Sequence, residues 1–170
     1  MHMIKTKRIY LRRFTIDEAD LLFQLDGDAD VMKYITLGIP RTMDEVIEKS
    51  MPRILKSYQD KTDFGIFAAY LINSEKYIGW FQFEEDKEFE HSIEIGWRLK
   101  KQYWGNGYAT EVATVLCDLG IKMGKTIVAR AMIENLASIR VMEKAGLKFE
   151  KEFWGDYDPH SGSPDVLYKR

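Results

Sequence analysis

The chain has 170 residues, enough for one domain with a sizeable core. Its composition is that of an ordinary globular protein, with 45% apolar and 31% charged residues; with a formal charge of -2 and no strongly basic arm or face, nucleic acid is not an expected partner. A single cysteine, Cys117, excludes an internal disulfide and a multi-cysteine metal site, and no apolar run approaches the ~18 residues of a membrane span.

No repeat, low-complexity tract or Pro/Ser-rich linker divides the chain, so residues 1–170 are read as one domain. The start, "MHMIKTKRIY", has no apolar signal-peptide core, and a cytoplasmic location is expected. "KRIYLRRF" (7–14) alternates Ile9 and Leu11 with basic residues, as a strand does. "TIDE" (15–18) reads as a capping box, with Thr15 as N-cap, ahead of a short helix carrying Leu21, Leu22 and Leu25. "TMDE" (42–45) repeats the device before a second helix, whose apolar positions include Val46, Met51 and Ile54; Pro52 is expected to kink or split it. "FGIFAAYL" (64–71) and "YIGWFQF" (77–83) are joined by a polar turn at Asn73-Ser74 and predict a hairpin. "SIEIGWRL" (92–99) puts Ile93, Ile95, Trp97 and Leu99 on one face and Ser92, Glu94, Gly96 and Arg98 on the other. A helix is expected over 108–123, with Val112, Val115, Leu116 and Leu119 on one stripe; Cys117 inside it reads as a small buried hydrophobe rather than a catalytic thiol. "TIVARAM" (126–132) is a β-branched strand, and a helix over 135–146 starts at Asn135 and stops at Gly146. Strands 147–154 and 165–170 close the chain, giving an α+β order with a mixed sheet and helices on it.

Between the strand ending at Leu99 and the helix after Gly107 lies "KKQYWGNGYATE" (100–111). Gly105 and Gly107 allow close approach of the backbone, the helix beyond them offers free N–H groups and the positive end of its dipole, and Lys100 and Lys101 add charge. This suits a phosphate, although a plain strand-to-helix turn accounts for the same glycines. It is not a Walker loop, because no Gly-Lys-Ser/Thr follows, and Thr110 stands where a dinucleotide fingerprint has its third glycine or alanine.

The succession of "IEIGWRL", "QYWGNGYATE", Asn135 with Ser138, and "VMEKAGL" resembles the GNAT acetyltransferase superfamily. The opening "TKRIYLRRF" resembles its RimJ/RimL-like branch, which acetylates α-amino groups of ribosomal proteins and other amines. The likeness runs from about residue 6 to about residue 154 and implies the GNAT fold, a mixed central sheet with helices on both faces. It implies acetyl-CoA as co-substrate, with the pyrophosphate on the N–H groups of the loop Gln102, Tyr103, Trp104, Gly105, Asn106, Gly107, Tyr108 and Ala109, with Thr110 adjoining. In such folds strand 92–99 splays from strand 126–132, so that backbone at Trp97, Arg98 and Leu99 is free for the pantetheine and the thioester carbonyl. Two departures stand out: Gln102 opens the loop where many relatives have arginine, and Met142 occupies the place of the tyrosine acid used by many family members. Ser138 matches a serine proposed for that task in the RimJ/RimL-like branch.

Amine acetylation needs a neutral amine, a polarised thioester and a proton for the departing thiolate. The candidates are Glu94 as base and acceptor contact, Ser138 as acid, Asn135 as a coenzyme A contact as well as an N-cap, and Tyr34 near the acceptor. Each has a plain structural alternative: an exposed strand carboxylate, a first-turn helix residue, a cap, and loop packing. The acidic "EEDKEFEH" (84–91) suits a solvated connection, or a cationic acceptor if it lines the cleft, and the 154–162 loop with His160 is a possible rim. The three histidines lack metal-ligand spacing, and no metal is expected. The expected activity is acetyl transfer to a primary amine, a protein N-terminus or a small molecule, by a monomer or homodimer with no nucleic-acid or membrane partner. A polyamine acetyltransferase and a non-catalytic acyl-CoA-binding regulatory module are the alternatives.

Overall fold

The computed structural model describes residues 4–58, 63–154 and 162–170. Alternation along the predicted strands becomes two apolar layers, one on each side of a single seven-stranded sheet. The strands are β1 (Ile9–Arg13), β2 (Gly65–Leu71), β3 (Tyr77–Glu85), β4 (Ser92–Leu99), β5 (Thr126–Met132), β6 (Lys148–Phe153) and β7 (Asp165–Lys169). Their order is β1-β2-β3-β4-β5-β7-β6, antiparallel throughout except for β4 beside β5. Two long helices, α5 (Tyr108–Lys122) and α6 (Leu136–Lys144), cover one face, where Val112, Leu116 and Met142 meet Phe81, Phe83 and Ile95. The other face carries α1 (Ala19–Asp26), α2 (Ala29–Met32), α3 (Met43–Glu45) and α4 (Met51–Lys56), with Leu22, Leu25 and Ile54 on Ile66 and Trp80. This is the mixed sheet that the residue pattern predicts, with helices on both faces as the resemblance implied.

Several local expectations change. Thr15 does not cap α1: Glu18 does reach back to the Thr15 N–H at 2.9 Å, but the Thr15 hydroxyl donates to Asp17 and the helix begins only at Ala19. Arg12 holds the Glu18 carboxylate with two bonds, which fixes the turn instead. At Thr42 the capping box is complete with Glu45. Pro52 splits its helix as expected, and the break takes the form of a π-helical turn, Val46–Ser50, in which the Met51 N–H reaches Val46 O. On α5 the buried stripe is Val112, Ala113, Leu116, Cys117 and Gly120; Val115 and Leu119 sit at its margins.

One irregularity positions the site. The β4–β5 ladder contains only Ser92–Thr126, Ile93–Ile127 and Glu94–Val128. Beyond that the two strands part: β4 pairs onward with β3, and β5 with β7. The facing backbone edges of residues 95–99 and 129–132 therefore have no strand partner, as the resemblance implied.

Candidate active site

On one side of the split lies the glycine loop. After Leu99 the chain makes a 3-10 turn, Lys101–Tyr103, and the Trp104 indole donates to Leu99 O at 2.8 Å, closing the end of β4. The Asn106 side chain donates to Tyr103 O at 3.2 Å and Trp104 O at 3.0 Å, so the loop is stitched from within. Gly105 and Gly107 have φ of 75° and 76°, a left-handed conformation that costs a residue with a Cβ about 1–2 kcal/mol. Gly107 is also the N-cap of the 15-residue α5. Among the described residues, the N–H groups of Gly105 to Thr110 donate to no protein acceptor. A Cβ on Gly105 would meet nothing within 4 Å, and on Gly107 only Arg8 Nη2 at 3.6 Å. A row of donors without a protein acceptor stands at the positive end of a helix, with open space beside its two glycines, which suits an anionic ligand.

On the other side a cleft of about 200 Å³ opens among β3, β4, β5, the start of α6 and the α2–α3 connection. Tyr34, Glu94, Trp97, Arg98, Asn135 and Ser138 all line it, so the fold brings six of the predicted residues together. Asn135 caps α6, its Oδ1 accepting from the Ser138 N–H at 3.2 Å. The Ser138 hydroxyl faces the cleft without a hydrogen bond to any described residue. Glu94 is partly exposed; its carboxylate accepts from Gln82 Nε2 at 3.1 Å and from Arg130 Nη1 at 3.0 Å. Across the β3–β4 ladder stands Glu84, whose carboxyl is raised by burial, less so by the Glu94 charge, and lowered in part by Arg53.

Two predicted contributions shift: the N–H groups of Tyr103 and Trp104, expected to be free for a pyrophosphate, donate to Lys100 O at 2.9 Å and Lys101 O at 3.1 Å, and the lysine charges leave the loop. The Arg98 guanidinium is committed to Asp26, a carboxylate only 2% exposed, which Arg41 and Ser50 also hold; Arg98 further lies 5.0 Å from the Trp80 ring. Only its main chain is available to a ligand. Burial pulls Arg98 below the ordinary guanidinium value, and Asp26 offsets this only in part. The charges expected from Lys100 and Lys101 point away from the loop, to Gln24 at 2.8 Å and Asp30 at 2.5 Å. Leu99 buries its side chain in the core beneath the loop.

Sequence reasoning missed the cation that does sit at the loop. Arg8, just before β1, donates to Asn106 O at 3.1 Å, stacks on the Tyr108 ring at 4.5 Å and pairs with Glu111 at 2.6 Å. It missed Asp26, Gln82 and Arg130 as well. No local signal marks them: Asp26 and Arg130 reach the site from elements distant in the chain, and Gln82 from the paired strand β3. Cys117, expected to be buried, is; burial pushes its thiol up to about 11, so it is not a surface thiolate. The loop with His160 falls on residues 155–161, outside the described residues.

Comparison with known proteins adds the following. Residues 8–148 match the acetyltransferase (GNAT) domain family. The chain is 31% identical to an uncharacterized N-acetyltransferase of Bacillus subtilis (strain 168), YnaD, over 92% of this chain and 94% of that protein. Among solved structures, an acetyltransferase (GNAT family) from Bacillus anthracis superposes with a TM-score of 0.82 at 29% identity, covering 99% of this chain and 98% of that one. RimL, a ribosomal alpha-N-protein acetyltransferase solved with coenzyme A, superposes with a TM-score of 0.80 at 16% identity, covering 99% and 97%, a likeness of fold alone.

Proposed function

The chain belongs to the GNAT acetyltransferase family, and from that premise we propose that it transfers an acetyl group from acetyl-CoA to a primary amine by direct attack in a ternary complex. The observation that carries this reading is the split between β4 and β5, which has the free N–H row of the glycine loop on one side and the cleft holding Glu94, Asn135 and Ser138 on the other.

The residues fit the donor. Free N–H groups from Gly105 to Thr110 suit a pyrophosphate, and the unpaired edges of β4 and β5 suit the amides of a pantetheine arm. RimL, which shares the fold, is solved with coenzyme A. Bound acetyl-CoA supplies the thioester that is attacked. Glu94 accepts a proton from the incoming amine, directly or through water, and main-chain N–H groups at Trp97–Leu99 polarise the thioester carbonyl. The Ser138 hydroxyl gives a proton to the departing thiolate. Asn135 orients the start of α6 and contacts the donor, and Tyr34 and Trp80 shape the acceptor side.

A protein N-terminal α-amine, as in the RimJ/RimL-like branch, is the acceptor favoured by the opening "TKRIYLRRF" motif. A polyamine is the second reading, supported by one observation: Asp86 and Glu88 of the acidic segment reach the cleft through Arg130. The test is calorimetric titration with acetyl-CoA, followed by thiol release with an alanine-starting peptide and with spermidine. Micromolar donor binding with turnover of either amine is expected. No binding at millimolar acetyl-CoA overturns the reading.

A further inference from the structure

Glu94 is the last residue of β4 that pairs with β5, and its register partner is Val128. Two residues on, Arg130 projects from the same side of β5 and reaches back across the base of the split. Its Nη1 donates to Asp86 Oδ2 at 2.5 Å and Glu94 Oε1 at 3.0 Å, and its Nη2 to Glu88 Oε2 at 3.0 Å. The anchor is Asp86, whose side chain is only 2% exposed. Its other oxygen accepts the N–H groups of Glu88 at 2.9 Å and Phe89 at 2.7 Å, so main chain fixes the carboxylate that fixes the arginine. Burial raises the Asp86 carboxyl, but the bonds from Arg130, Phe89 and Glu88 outweigh it and bring the group below its ordinary value. Glu94 is then held at both oxygens, by Arg130 on one and by the Gln82 amide on the other.

We propose that Arg130 is a positioning residue: it locks the Glu94 carboxylate in one orientation at the base of the split where the acceptor amine arrives. The inference rests on the assignment of Glu94 to the acceptor. A free glutamate on a strand has rotamer freedom to lose on binding a cation. Arg130 and Gln82 remove that freedom before the acceptor arrives. Among the described residues, the charges around Glu94 are Glu84 (which has Arg53 at 3.8 Å and also feels Lys87), Arg130 itself, Asp86, and Glu88, which Lys151 of β6 meets at 3.6 Å. Of these cations, Arg130 is the one that hydrogen-bonds Glu94.

The test reads Glu94 directly. Side-chain carbon relaxation of glutamate-labelled protein, with Glu94→Gln used to assign the signal, follows the order of the Glu94 side chain in the parent, in Arg130→Gln and in Arg130→Lys. In Arg130→Gln that order is expected to fall toward the value of a freely rotating glutamate, because one of the two bonds that hold the carboxylate is lost. Arg130→Lys, which keeps the charge without the fork, is expected to restore only part of it. If Arg130→Gln fails to fold because buried Asp86 loses its cation, the double variant Asp86→Asn/Arg130→Gln carries the same expectation. Unchanged order of Glu94 overturns the proposal. The assignment of Glu94 fails separately: if Glu94→Gln releases thiol from acetyl-CoA with spermidine or an alanine-starting peptide as fast as the parent, Glu94 has no part in the reaction, whatever Arg130 does to its order.

Discussion

The two sides of the split are built from different material. The side proposed for the donor is main chain: consecutive N–H groups of residues 105–110, held by two left-handed glycines and stitched by Asn106 to carbonyls two and three residues away. The side proposed for the acceptor is side chain: Glu94, Arg130, Gln82, Asp86 and the Asp26–Arg98–Arg41 cluster, drawn from α1, β3, β4, β5 and the connections between them. A main-chain site is generic, since every residue supplies an N–H, and it suits a donor common to a whole family. A side-chain site is particular to its sequence, and it suits the acceptor, where relatives differ. The two should also fail differently. The loop tolerates side-chain changes that leave its backbone alone, whereas the cleft depends on charges that cannot lose their partners.

The largest effect is expected on the acceptor side. Asp26→Ala strips the buried carboxylate from Arg98 and Arg41 and should cost about 3–5 kcal/mol in urea unfolding, the usual result of orphaning a buried charge. A loss below about 1 kcal/mol would mean that the cluster is held by packing rather than by charge. Next, Ser138→Ala should lower turnover by about 100-fold with acetyl-CoA affinity unchanged, the lower range for a lost general acid. If turnover is kept, the thiolate takes its proton elsewhere. On the donor side, Gly107→Val puts a branched side chain on a left-handed residue below the free N–H row. It should weaken acetyl-CoA binding tenfold or more in calorimetry, about 1.4 kcal/mol, while Asn135 and Ser138 stay in place. Unchanged affinity would remove the loop from the site.

The smallest effects are in pH dependence, and two carboxylates of the acidic segment should show opposite signs. Asp86 has its carboxyl lowered on folding, so its stabilisation is present above the unfolded value, about 3.9, and is lost as pH falls through the folded one. Glu84 has its carboxyl raised, so its stabilisation is present below the unfolded value, about 4.3, and is lost as pH rises through the folded one. Thermal melts from pH 3 to 7 should therefore show a shallower acid decline in Asp86→Asn and a gain near neutrality in Glu84→Gln. Slopes of the same sign in both would contradict the charge assignments at the base of the split.

How far the sequence could be read follows the same division. Strand alternation in "SIEIGWRL", the glycine spacing of 105–107, the Asn135 cap with Ser138 one turn on, and the Thr42–Glu45 box are all local, and each forms as read. Misreadings came where a side chain found a different partner. The Thr15 hydroxyl turned to Asp17 instead of capping α1, although Glu18 still reaches the Thr15 N–H; the α5 stripe turned toward the sheet it covers; and Lys100 and Lys101 were drawn across the fold to Gln24 and Asp30 rather than to the loop. Local periodicity and backbone conformational preference thus determined the elements and the glycine turn, because they act over a few residues, and the succession of motifs carried the resemblance to the family. Only the tertiary structure decided which charges meet: Arg8 at the loop, Arg98 on Asp26, and Arg130 on Glu94 and Asp86. An ion pair needs two side chains within a few ångströms, and across 36 to 98 residues of chain that proximity is a property of the sheet order, which no local pattern encodes.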